Sequence, residues 1–160
     1  MMAVLAHRYE CVEAVESFAE LWAENLKGEV PSAYSDDLAK WISIVWIFQH
    51  DSLFQKTTRV AVRQSTGPLS AMDVPLSRIV TDEIECTRQG AIHEIIDCLC
   101  SRIDWELMPD SGVYCCEDCD AMILGMLLRQ LKIRRFYPLP LPPFKGISFE
   151  FMLRTLAAFP

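Results

Sequence analysis

The stretch from Leu76 to Leu107 constrains the fold more than any other part of the chain. Its Ile79, Val80, Ile84, Ile92, Ile95, Ile96, Leu99 and Ile103 recur at three- and four-residue intervals. That is the spacing of one helix face, and it is incompatible with the alternation a half-buried strand requires. A helix over these residues runs about 45 Å at 1.5 Å per residue, so any core must be laid out along it. Gly90 in its middle is a candidate break or bend, because glycine is a poor helix former.

The remaining segments carry the same period. A helix over about Met2 to Arg8 turns at Tyr9 and Glu10 into a second, Val12 to Leu26, in which Val12, Val15, Phe18, Ala19, Trp22 and Leu26 share a face. Gly28 and Pro31 close it. Ser35 or Asp36 is the expected N-cap of a third helix, about Asp37 to Phe48, whose Leu38, Trp41, Ile42, Val45, Trp46 and Phe48 cover enough of the circumference to predict a central position. Asp51 is the expected cap of a fourth, Ser52 to Gln64, with Leu53, Phe54, Val60 and Ala61 inward, and Ser65, Thr66, Gly67 and Pro68 break it. After the long helix and a loop over Met108 to Tyr114, a further helix spans about Asp120 to Ile133, with Asp118 and Asp120 as candidate caps. Pro138, Pro140, Pro142 and Pro143 forbid regular helix beyond it, and Ser148 caps a last short helix to about Ala158. The apolar runs exceed typical strands in length and lack period-two alternation. The expectation is an all-α single domain over residues 1–160, of about six helices, with a long fifth helix and a proline-rich extended strap.

Composition supports a folded core: 51% of the 160 residues are hydrophobic and 23% are charged, outside the range of chains too polar to offset their conformational entropy. The net charge of −7 argues against nucleic acid as a partner, since phosphate binding needs a basic field. The one basic cluster, Lys132, Arg134 and Arg135, falls at a helix C-terminus, where it complements the dipole. The apolar runs Trp41 to Phe48 and Ala121 to Leu128 are far too short to span a bilayer, so no membrane partner is expected. Seven cysteines, an odd number without a secretory leader pattern, fit a reducing cytoplasmic or nuclear environment rather than a disulfide framework.

Chemistry is concentrated in one place. Cys116 and Cys119 form a C-x-x-C at the mouth of an amphipathic helix, a spacing that lets two thiolates converge on one atom. On the long helix Cys86, His93 and Cys100 recur every seven residues, and Asp97 lies four after His93. If the next helix folds back, Cys116, Cys119, Cys100 and His93 form a candidate structural zinc site, with Cys98 and Cys115 as spares. The stronger reading of these cysteines is as inert core or surface thiols, because cysteine packs as a small hydrophobe and no second closely spaced ligand pair exists. No cofactor other than that zinc is implied. A thioredoxin-like pair would need a βαβ setting, and Glu117 and Asp118 would oppose thiolate formation. Of the three histidines, His93 lies about 10 Å along a helix from Cys86 or Cys100, too far for direct proton transfer. His50 follows a helix end as a dipole partner and His7 lies in the opening helix, so no catalytic residue is assigned. Phe136, Tyr137 and Phe144 around the prolines fit a strap pinned across the helices, the alternative being a polyproline II ligand.

The opening MAVLAHRYECVEAV, with Tyr9 and Cys11 to Val15 at the turn, resembles the helix pair that follows the β/α core of BTB/POZ proteins (residues 1–26). The matches continue through Trp22, Glu29-Val30-Pro31, the Trp41 to Phe48 helix, Ser65, Gly67, Pro68 and Leu69, Cys119-Asp120, Leu124 to Leu128, and Pro142-Pro143-Phe144 with Gly146. Residues 35–160 are similar to the C-terminal helical region of fungal BTB/POZ-domain proteins, while the strand-rich core of that family is lacking in the sequence. The resemblance implies self-association and, in some members, recruitment of a cullin ubiquitin ligase through the core and the helices behind it. Three functions follow as expectations. The first is a non-enzymatic protein–protein interaction module, adaptor-like, with a protein partner or a second copy. The others are a small helical enzyme or ligand-binding protein with a pocket near Trp41, Trp46, His93 and Asp97, and a zinc-stabilised helical scaffold.

Overall fold

A computed structural model describes residues 2–70, 74–108 and 116–159. Among them lie seven α-helices, one 3-10 turn and no strand: α1 (Met2–Arg8), α2 (Val12–Leu26), the turn Lys27–Glu29, α3 (Leu38–Ile47), α4 (Asp51–Gln64), α5 (Arg78–Leu107), α6 (Glu117–Ile133) and α7 (Phe149–Ala157). The fold is all-α, as the periodicity requires, and its seven α-helices fall on the seven spans that the period marks, against a count of about six. The loop over Met108 to Tyr114 falls almost wholly outside the described residues.

α5 organises the rest. It runs unbroken through Gly90, which is exposed and needs no bend. Its buried residues are Val80, Ile84, Arg88, Ile92 and Ile96, one every fourth position. A strict four-residue step advances about 40° beyond a full turn each time, so the buried line winds around the helix and its two ends face different neighbours. Val80 and Ile84 join Leu38, Ile42, Ala61 and Leu69 in one core. Ile92 and Ile96 join Leu131, Phe136, Phe144 and Met152 in a second. Ile79, expected on the inner stripe, is 80% exposed, because the line through Val80 leaves its neighbour facing outward.

α4 packs on α3, α5 and α7, and α3 packs on α1 and α4. α3 is buried at Leu38, Ala39, Ile42, Ser43, Val45 and Ile47, as its apolar circumference predicts, while its Trp46 points outward against Phe54 with ring centroids 5.4 Å apart. A smaller core of Val30, Val45 and Leu53 holds the α2–α3 connection, with Trp41 against it. Thr57, buried in α4, donates its hydroxyl to the Leu53 and Phe54 carbonyls.

Helix ends depart from the expected caps. α3 begins after Asp37, whose carboxylate pairs with Lys40 at 2.7 Å instead of capping. Asp51 is the first helical residue of α4, and Asp118 and Asp120 lie in the first turn of α6 behind Cys116. These acids complement the dipole from inside the helix. Ser148 does cap α7, accepting from the Phe151 N–H at 3.2 Å. Three C-termini share one device. Glu10 after α1, Gln49 after α3 and Arg135 after α6 all adopt positive φ. In each the following N–H reaches back to an orphan carbonyl: Cys11 to Ala6, His50 to Val45, and Phe136 to Leu131.

Candidate functional site

The polar interior of the molecule centres on Arg88, which is fully buried where the two cores on α5 meet. A bare buried guanidinium would be prohibitive, and here every donor is used. Nε and one terminal nitrogen clasp the Glu85 carboxylate at 2.8 and 2.6 Å. The same terminal nitrogen donates to the Pro143 carbonyl at 3.0 Å, and the other donates to Phe144 and Ile147 carbonyls at 3.3 and 2.9 Å. Five N–H groups thus meet one carboxylate and three backbone oxygens. Gln89 also donates to Glu85 at 2.7 Å. The Arg88 hydrogen bonds hold the Glu85 carboxyl below its ordinary 4.5, against an opposing push from burial, with Gln89 and the Arg88 charge adding to the downward effect.

The strap is what Arg88 holds. Phe136 and Phe144 are buried in the second core while Tyr137 stays exposed, so two of the three expected aromatics pin it. Phe144 sits at φ 51° and Gly146 at φ 79°, a double reversal that turns the strap carbonyls toward α5. The Gly146 N–H donates to the Thr66 carbonyl at 2.8 Å and ties the strap to the connection after α4. A proline-rich segment short of N–H groups is suited to this, since it offers carbonyls to a donor-only side chain. Arg88 was not among the residues the sequence singled out. Its signal was a charged residue in register with Val80, Ile84, Ile92 and Ile96, three positions after a glutamate.

Above the clamp, α5, the connection at Pro68 and Leu69, and the strap enclose an open cleft of about 710 Å³ that includes Cys86 and His93. His93 is exposed, its Nε2 3.4 Å from Asp97 Oδ2 and its ring 6.3 Å from that of Phe144. Cys100 packs half-buried against the second core, and Cys116 and Cys119 stand at the start of α6, exposed and half-buried respectively. Among the described residues no three His, Cys, Asp or Glu side chains are placed to hold a metal ion. The structure therefore does not assemble Cys116, Cys119, Cys100 and His93 as a ligand set. The reason is axial: His93, beside Phe144 of the strap, and Cys100, against the second core, share one side of α5 but lie about 10 Å apart along it, too far to meet on one ion. Cys98 is exposed, and Cys115 lies outside the described residues. Trp46 lines a different cleft of about 610 Å³ between α4 and α5, so Trp46 and His93 do not meet in one pocket.

The surface carries two apolar helix faces. On α2, Phe18 is 58% and Trp22 36% exposed, with Leu21 and Leu26 beside them, and the Phe18 and Trp22 rings lie 6.2 Å apart. Ala19 alone of the expected inner face is buried. On α6, Met122, Ile123, Met126 and Ile133 are exposed, while Leu131 enters the core. No helix among the described residues is long and apolar enough to cross a membrane. Against known proteins, the chain matches no family model, no curated protein and no solved structure.

Proposed function

We propose that this all-helical chain is a non-enzymatic protein–protein interaction module, adaptor-like in the manner of the BTB/POZ proteins whose rear helices its sequence resembles. The observation that carries the reading is the α2 face. Phe18, Leu21, Trp22 and Leu26 form an apolar stripe at helical spacing that the fold leaves between 36% and 58% exposed. Aromatic residues on an exposed stripe are typical anchors of a binding surface, because each buries a large area at small entropic cost.

A photo-crosslinking amino acid at Leu21, introduced in cells that make the chain, tests this. The expected result is covalent capture of a discrete protein, lost in the Phe18→Ser/Trp22→Ser variant. Both side chains are exposed, so that variant should keep its melting midpoint to within the scatter of surface substitutions, about 0.5 kcal/mol. No captured protein, or capture that survives the double substitution, would remove the support for the reading.

A further inference from the structure

We propose that Cys116 and Cys119 are a reversible redox site, which closes an intramolecular disulfide across the first turn of α6 in the presence of a small disulfide oxidant. The site is independent of whatever the α2 face binds. Its two thiols hold particular places in the helix. Cys116 is the N-cap of α6, with extended backbone at φ −160° and ψ 159°, and its carbonyl accepts the first helical hydrogen bond, from the Asp120 N–H at 3.1 Å. Glu117 and Asp118 are then the first two helical residues and Cys119 the third. The N-cap and the third residue are the two positions whose side chains cross over a helix start in the capping box. Helix geometry places Cα atoms three residues apart at about 5 Å, inside the about 4.4–6.8 Å that a disulfide spans. Access to the two differs: Cys116 is exposed and Cys119 half-buried.

The cysteines of α5 have no such relation to one another. Cys86 lies about 18 Å along the helix from Cys98, and Cys98 and Cys100, two positions apart, point about 160° away from each other. At the start of α6 the difference in exposure assigns the order of steps. Cys116, as the thiolate left once its proton passes to water, attacks one sulfur of the oxidant and expels the other as a thiolate. Cys119, deprotonated in turn, attacks Cys116 Sγ and expels the second. Two thiols of the chain lose two electrons and two protons, and one external disulfide becomes two thiols. Glu117 and Asp118 favour the product, because they disfavour negative charge on the dithiol form, and a disulfide is most easily reduced where its thiolate form is stabilised. No βαβ setting is required, since the pair changes its own state rather than that of a substrate. The bridge ties down the start of a helix whose one buried residue, Leu131, lies near the far end, and it sits one turn before the exposed Met122, Ile123 and Met126.

Equilibration of the full-length chain in glutathione redox buffers, followed by acid quenching and peptide mapping by mass spectrometry, tests this. The expected product is a Cys116–Cys119 disulfide within one chain that grows as the oxidised share of glutathione rises and disappears on return to the reduced form. It should form at a lower oxidised share in the folded chain than in the same chain unfolded in urea, because the helix start holds the two thiols together. Cys119→Ser should instead leave Cys116 as a lasting mixed disulfide with glutathione, since the second attack is missing, and Cys116→Ser should leave the half-buried Cys119 largely unmodified. Mapping of the unsubstituted chain decides the matter even if a serine variant fails to fold. Separate glutathione adducts on Cys116 and Cys119 without a bridge overturn the inference, as does a bridge from Cys115 to either, or a bridge that forms no more readily in the folded chain than in urea.

Discussion

At the scale of single residues, Arg88 couples elements distant in sequence, and its removal should be felt along the whole strap. Arg88→Met keeps the bulk of the stem but leaves the Glu85 carboxylate and the carbonyls of Pro143, Phe144 and Ile147 without their donor. Breaking a buried pair on one side costs about 3–5 kcal/mol, which a shift in the urea midpoint at unchanged slope would report; a loss below about 1 kcal/mol would mean water replaces the guanidinium. Lysine cannot substitute, since one ammonium has neither the donors nor the fork. Glu85 adds a pH signature. Its carboxyl is held below 4.5 in the folded chain, so its contribution is complete above the unfolded value and is lost as pH falls through the lower folded value. Stability measured from neutral pH downward should therefore decline below about pH 4.5 less steeply in Glu85→Gln than in the parent, whatever their difference at neutrality. Parallel acid limbs would show that another group carries the effect. The sequence held only the register of Arg88 with Val80, Ile84, Ile92 and Ile96 and the glutamate before it; its carbonyl partners are visible only once the strap is placed against it.

At the scale of elements, the helices were largely readable and the devices that cap them were not. The 3.6-residue period fixed α1, α2, α4 and α5 to within a residue or two, because burying one face is a strong and local requirement. Caps depend on a single torsion. Three helices end with a left-handed residue that is not glycine, so the usual C-terminal mark was missing at Glu10, Gln49 and Arg135. Gln49 is exposed, with φ 50° after α3. Gln49→Gly should raise stability by about 0.5–1 kcal/mol, since glycine enters this region without the Cβ penalty. Thermal unfolding of the two proteins measures it, and a lower midpoint for glycine would mean that the Gln49 side chain makes a contact worth more than the strain. The apolar period also over-read burial. It marked Phe18 and Trp22 of α2 as inner residues in the same way as Leu53 and Ala61 of α4, although only the latter are buried.

At the scale of the molecule, two cores share one long helix, and the buried salt bridge stands between them. α4 and α7 add a second link through Glu150, which accepts from Gln64 at 3.0 Å and pairs with Arg154 and, at 3.9 Å, with Arg63. The sequence by itself determined the all-helical class, the length of α5, the strap and the Ser148 cap, because each follows from periodicity, from proline's missing N–H or from a local hydrogen bond. Only the tertiary structure decided which apolar faces are covered, that α5 runs unbroken through Gly90, and that Arg88 closes the strap. Those outcomes depend on the rotation of each helix against partners up to 86 positions away, as between Gln64 and Glu150. A helical period states that a face exists; what lies opposite that face is a contact between distant residues, and the local pattern does not contain it.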